Sequence, residues 1–318
     1  MLTYIIRRLT ISLLVLLIVT LLIFLIMRLL PGDPVLLFIS QDKFALITQE
    51  ELAAARHEFG VDKPLFVQYL NWLRGLLAGD LGNSIFTGTP VTQEIARALP
   101  VSLFLGGLAF VFSHLIGIPA GIICAIRRGK WIDTILTVIA NIGITAPSFW
   151  VAVILIYLFG YTLHWLPIYG YTSPMEDLAV SLKRAVLPVF CLSLGVLSGC
   201  VRQTRSAMLE VIRQDYIRTA WAKGLHERTI IIRHAIRNGI IPVVTLAGMS
   251  IPMILGGAVL IENVFNIQGM GRLATEALFK RDYAITQGVA LLMAVAVILS
   301  NLLVDVSYGW LDPKVRYD

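Results

Sequence analysis

The stretch Leu9–Leu30, LTISLLVLLIVTLLIFLIMRLL, decides the fold, because Arg28 is its sole charged residue. A helix needs about 20 predominantly apolar residues to cross about 30 Å of hydrocarbon. Within lipid each backbone N–H and C=O must also be satisfied inside the segment, which an α-helix does. Further stretches repeat the pattern at Val101–Ile126, Ile135–Phe159, Ala185–Cys200, Ile240–Ile261 and Ala284–Val306. Ala185–Cys200 is short, and its helix is expected to continue through Arg202 and Arg205 to the cytoplasm. The fold class that follows is all-α: a polytopic membrane protein with six transmembrane helices.

Composition agrees. Of 318 residues, 57% are hydrophobic and 14% charged, where soluble chains carry roughly a quarter charged residues. The net charge of +6 invites a nucleic-acid reading, but its placement argues against one. The segments assigned to the inside hold more Lys and Arg than acids, whereas the segments assigned outside hold slightly more acids. Positive loops stay cytoplasmic, so both termini are expected inside and the excess charge orients the protein. Met1–Arg8 followed by an apolar run has the look of a secretion signal. The run is long, however, and Pro31-Gly-Asp-Pro34 follows it where a small-residue cleavage site would stand, so it reads as an uncleaved first span.

Cys124, Cys191 and Cys200 lie in or beside apolar spans. Cys191 and Cys200 sit about 13 Å apart along one helix, too far to bridge. They read as small buried hydrophobes, with no zinc spacing among them.

The chain divides into a first span with its cytoplasmic N-terminus (1–30), an external lobe (31–100), a five-span core (101–306) and a cytoplasmic tail (307–318). In the lobe, Gln49–Glu58 and Phe66–Leu77 are helical in pattern, and Gly79, Gly82 and Gly88 then break the chain. It is too small and polar for a core of its own, and is expected to rest on the spans. The outer loop Tyr161–Leu187 carries Trp165, Pro167, Tyr169 and Tyr171, whose aromatics suit the membrane edge. The inner loop 202–239 is long and basic.

In that inner loop, Asp215-Tyr-Ile-Arg-Thr-Ala-Trp-Ala-Lys-Gly224 reads as a short helix. Asp215 suits a helix N-terminus and Gly224 the left-handed residue that ends one. Only about two turns fit between them, and an isolated helix that short is marginal in water. It needs support from its flanks or from a partner, and the small Ala220 and Ala222 would let a partner approach closely. His226–Asn238 reads as a second short helix, with Ile230, Ile231, Ala235 and Ile236 apolar and Arg228, Arg233 and Arg237 basic. Such a pair of helices resembles a docking element; a loop that merely fixes topology is the competing reading.

Tyr216-Ile-Arg-Thr-Ala-Trp-Ala-Lys-Gly224 with Arg233-His-Ala-Ile-Arg-Asn-Gly-Ile-Ile-Pro242 resembles the cytoplasmic loop of bacterial ABC importer permeases, most closely the dipeptide/oligopeptide/nickel branch. Met1–Arg8 with Pro31-Gly-Asp-Pro34, Gly60-Val-Asp-Lys-Pro64, Gln68-Tyr69 and Gly79-Asp-Leu-Gly82 resemble the N-terminal part of that branch. Gly256-Gly257, Glu262, Phe265, Gly269-Met-Gly-Arg272, Arg281-Asp-Tyr283 and Asn301–Asp305 resemble its last two spans. Two departures stand out. Arg218-Thr219-Ala220 replaces the usual Glu-Ala-Ala, and Ile267-Gln268 replaces the usual Trp-Pro.

The resemblance implies that this loop is a coupling helix seated in an ATPase cleft, and that Asp215, Tyr216, Arg218, Thr219, Ala220, Lys223, Gly224 and His234 carry the coupling. It also implies a heterodimer with a second homologous permease, two cytoplasmic ATPase subunits, an extracytoplasmic binding protein and a prokaryotic inner-membrane location. ATP and magnesium would be bound on the partner subunits and no cofactor by this chain. The cargo would be di- or oligopeptides, with nickel, a metal chelate or glutathione as alternatives.

The residues agree with a non-catalytic role. The sequence has no Walker A segment, no His-Glu-x-x-His and no Gly-x-Ser-x-Gly. Ionisable groups at mid-span mark ion paths, and here His114 alone lies near a span centre. That weighs against an ion-coupled secondary transporter; a helix-packing hydrogen bond suits His114 better. Gly195, Ser198, Gly199, Gly248, Gly256 and Gly257 suit close helix packing. Pro147, Pro242 and Pro252 can bend spans. Candidate residues for the translocation path are Asn141, Ser148, Thr245, Ser250, Met253 and Glu262, the last as an outer gate or a cap.

Overall fold

A computed structural model describes residues 2–29 and 62–311, with Ala53 and His57 as isolated positions. The motifs at 31–34 and 60–61 and the tail beyond 311 lie outside the described residues, as does nearly all of Gln49–Glu58. The helices are α1 (Leu2–Leu29), α2 (Leu65–Leu77), α3 (Val91–Ile126), α4 (Trp131–Thr145), α5 (Ser148–Leu155) and α6 (Leu178–Ile212). They are followed by α7 (Asp215–Ala222), α8 (Ile241–Val264), α9 (Met270–Lys280) and α10 (Tyr283–Leu311).

Five of these, α1, α3, α6, α8 and α10, are long and apolar enough to cross a membrane. The expected continuous span at Ile135–Phe159 is broken: α4 and α5 meet at 103°. Pro147 is the cause. It has no N–H to continue the ladder and disfavours helix at the preceding residue, and Ala146 is accordingly extended at ψ 125°. Beyond α5 the chain widens into a π turn, Ile156–Thr162. Counting the bent pair as one crossing gives the six spans expected.

The helix of the second span starts at Val91, ten residues before the apolar stretch, and carries Pro100 and Pro119 inside it. The helix of the fourth span runs on to Ile212, as its basic extension suggested. These two form the axis of the core. A Cβ on Gly121 would lie 2.6 Å from Thr204 Cβ and 2.7 Å from the Val201 carbonyl, and one on Gly117 would lie 2.9 Å from Cys200 Cβ. The Gly117-x-x-x-Gly121 pair is what lets the backbones of α3 and α6 meet. Gly143 brings α4 against Ser198 in the same way, and Gly248 brings α8 against Val304. Gly199 and Gly256, by contrast, face open space.

The described part of the external lobe rests on the spans. Thr20 and Tyr69 share a 3.0 Å hydrogen bond, and the Phe24 ring meets Tyr69 edge-on at 5.5 Å. Ser84 donates to the buried Asp282 at 2.5 Å and accepts from the Thr87 N–H. The turn after Gly82 is thereby tied to the start of α10. Cys124, Cys191 and Cys200 are free and buried, as expected of small hydrophobes.

Candidate functional site

The inner loop holds two helical pieces. α7 spans Asp215–Ala222, and Gly224 ends it in the left-handed region at φ 72°. Its N-cap is Gln214, not Asp215. Asp215 is already helical, and its carboxylate accepts from Arg218 at 3.3 Å instead of capping the backbone. Ala220 is also turned the other way from expectation. It is buried with Ile217 in a cluster that includes Met208 of α6, Ala125 of α3, Ile230 and Ala235. Its small size therefore serves packing within the chain. The amphipathic pattern decides this: Ile217 and Ala220 are three apart and share one face, and the chain's own helices cover it.

The second piece runs through Glu227–Thr229, a π turn at Ile230–Ile236 and Arg237–Gly239, directly into α8. Ile230 and Ala235 point inward, while Arg228, Arg233 and Arg237 stay exposed. The Asn238 amide donates to the Tyr216 hydroxyl at 3.0 Å and to the His234 carbonyl at 3.1 Å, joining the two pieces. Gly239 packs on Met208. Asp215, Tyr216, Arg218, Thr219, Trp221 and Ala222 of α7 remain outward, as do Lys223, Gly224 and Leu225 just after it. Displacement of α7 would thus be felt by α3 and α6 through the cluster, and by α8 through the continuous second piece.

A second inner fixture, missed in the sequence, joins α4 to α6. Arg205 donates from Nε to Asp133 Oδ1 at 2.7 Å and from Nη2 to Oδ2 at 2.9 Å. Asp133 also accepts the Gly129 N–H at 3.0 Å. No local signal links residues so far apart in sequence.

On the outer side Glu262 is a cap. Its buried carboxylate accepts the N–H groups of Gly271 at 2.8 Å and Arg272 at 3.1 Å, at the N-terminus of α9. It also accepts the Ser102 hydroxyl at 2.5 Å, and Ser102 Oγ takes the Met270 N–H at 2.7 Å. A negative charge is favourable where helix N–H groups and the helix dipole converge. Gly269 and Gly271 leave the room this requires: a Cβ on Gly271 would lie 2.7 Å from the Val259 nitrogen. Ile267 donates to the Glu262 carbonyl at 2.8 Å and is buried, so the turn is firm without Trp-Pro. Glu262, Ser102 and the start of α9 lock α8, α3 and α9 together.

The other candidate path residues separate. Ser250 and Met253 line a cleft of about 260 Å³ between α3, α6 and α8, together with His114 and Arg202. His114 Nδ1 donates to the Phe110 carbonyl at 2.8 Å, one turn back in the same helix, so this bond lies within α3 and does not join it to a neighbouring span. Asn141 lies in a different cleft, between α4 and the inner half of α6, with Thr137 and Arg205. Ser148 lines neither, and the Thr245 side chain lies outside the described residues.

Stacked spans, a helical loop keyed into the inner ends of several of them, and a clasped outer turn define a polytopic helical membrane protein. The chain belongs to the family of binding-protein-dependent transport system inner membrane components, whose pattern matches residues 117–317. Residues 1–106 match the N-terminal region described for the same membrane components. It is thus a multi-pass inner-membrane permease component.

It is 38% identical over 314 residues to a probable peptide ABC transporter permease protein of Sinorhizobium fredii, covering 99% of both chains. It is 37% identical over 320 residues to the oligopeptide transport system permease protein AppB of Bacillus subtilis, covering 100% of both. Among solved structures it resembles the inward-facing MetNI methionine ABC transporter. The TM-score there is 0.57 at 17% identity, covering 70% of this chain and 97% of that one. That likeness concerns the fold.

Proposed function

We propose that this chain forms half of a translocation pathway for di- or oligopeptides and works by alternating access. Its partners in this reading are a second homologous permease, two cytoplasmic ATPases that bind ATP and magnesium, and an extracytoplasmic binding protein that delivers the cargo. The chain itself binds no cofactor and hydrolyses nothing. The observation that carries the mechanism is the buried face of α7, Ile217 and Ala220, keyed against Met208 and Ala125. A push on its exposed face reaches three spans at once. Peptide cargo is supported by two relatives matched along their whole length at 37% and 38% identity, an oligopeptide transport permease and a probable peptide permease.

The exposed residues Trp221 and Lys223 are the ones to change, because substitution at the buried Ala220 would disturb the loop itself. The complex is purified with its ATPases and assayed for peptide uptake and for ATP hydrolysis stimulated by loaded binding protein. Trp221→Ala with Lys223→Glu is expected to lower stimulated hydrolysis and ATPase copurification together. Full uptake with undiminished copurification refutes the coupling role. Uptake of a nickel chelate or of glutathione, with none of peptide, refutes the cargo.

A further inference from the structure

The outer clasp forms one wall of a cleft of about 670 Å³, bounded by the N-terminal turns of α3, the turn before α9, the start of α9 and the Gly170-Tyr171 segment. Its charged residues are arranged in a particular way. α3 contributes Glu94 and Arg97, and α9 contributes Arg272 and Glu276. Each wall therefore offers one cation and one anion. Gln268 and Tyr171 add neutral polar groups between them.

The charges are partnered within their own helices, Arg97 to Glu94 at 3.5 Å and Arg272 to Glu276 at 2.6 Å. Arg97 and Glu276 are well exposed, at 64% and 45%. Glu94 and Arg272 are only 21% and 24% exposed, and Glu94 also accepts the Thr89 hydroxyl at 2.9 Å, so it is the exposed ends, Arg97 and Glu276, weakly held by their partners, that can turn to a ligand at little cost. A ligand of one sign would be attracted by one charge on each wall and repelled by the other. A ligand with a cation at one end and an anion at the other would be matched by both.

Resting on the peptide-import reading above, we propose that this cleft is an entry subsite for zwitterionic peptides. A free carboxylate is held by Arg97 and Arg272, and a free ammonium by Glu94 and Glu276. Arginine suits the carboxylate because its planar fork can donate two hydrogen bonds to it. The clasp fixes the geometry: the Arg272 N–H is held by Glu262, so one wall is anchored to α8 and α3.

The test uses the complete transporter in nanodiscs without binding protein. Gln268→Cys supplies a labelling site, since the three native cysteines are buried. Trialanine at millimolar excess is expected to slow labelling by a charged thiol reagent about threefold or more, the occupancy of a millimolar site. N-acetyl-trialanine amide should give no protection. Arg97→Gln with Glu276→Gln should abolish protection, and Arg97→Lys with Glu276→Asp should retain part of it. Equal protection by the blocked peptide, no protection by trialanine, or protection that survives charge removal overturns the subsite. Peptide uptake by the same complex with its binding protein is measured separately. Uptake without protection refutes the subsite alone, and absence of uptake refutes the cargo reading.

Discussion

Glu262 allows a quantitative test of the outer clasp. Replacing it with Ala removes the acceptor for the Gly271 and Arg272 N–H groups and for the Ser102 hydroxyl. Ser102 can turn its proton elsewhere while its oxygen keeps the Met270 N–H. The two α9 N–H groups have no such freedom, and Glu262 is fully buried. Leaving a buried donor without a partner costs about 1–3 kcal/mol each. Glu262→Ala should therefore destabilise by about 2–6 kcal/mol. Glu262→Gln keeps an amide oxygen for the N–H groups, and its NH2 can donate to Ser102 Oγ. It loses chiefly the charge at a helix N-terminus, about 0.3–2 kcal/mol. Denaturant-induced unfolding of the purified permease, followed by a change confined to the outer half, measures both. The order Ala worse than Gln worse than wild type is required. Equal losses for the two variants, or a neutral Ala, would show that the carboxylate does not hold α9 and that the clasp reasoning is wrong.

Other outcomes follow from the same geometry. Gly121→Ala places a Cβ 2.6 Å from Thr204 Cβ and 2.7 Å from a carbonyl; with backbone as the obstacle it should cost about 1–3 kcal/mol, read as a lowered melting temperature. Arg205→Ala strands a buried Asp133 and should cost about 3–5 kcal/mol. Adding Asp133→Asn should restore part of that in a double-mutant cycle. Gly224→Ala forces a side chain into the left-handed region at φ 72°, a local cost of about 1 kcal/mol. Assembly should survive while stimulated ATP hydrolysis falls.

What the sequence determined is the set of properties that depend on short windows. Apolar run length set the spans, and their basic flanks set the orientation. Gly224 marks the end of α7 in the sequence itself, because few other residues adopt that backbone conformation readily. Pro147 was recognisable as a breaker of its span, though the 103° turn was not, since the angle depends on what α4 and α5 pack against.

Tertiary structure decided the rest. Glycine positions illustrate why: Gly199 and Gly256 face open space, while Gly117 and Gly121 carry the α3–α6 contact. A small residue permits close approach, but only the partner helix determines whether it happens. Ala220 faced inward and Asp215 left the cap to Gln214, because the helix phase is set by the packing of Ile217. Glu262 reaches the N–H groups at the start of α9, within 3.1 Å, only because the chain folds α9 back onto α8. The Asp133–Arg205 pair and the Ser84–Asp282 tie join residues far apart in sequence. Local propensity carries no information about such pairs; burial of a charge without its partner is what enforces them.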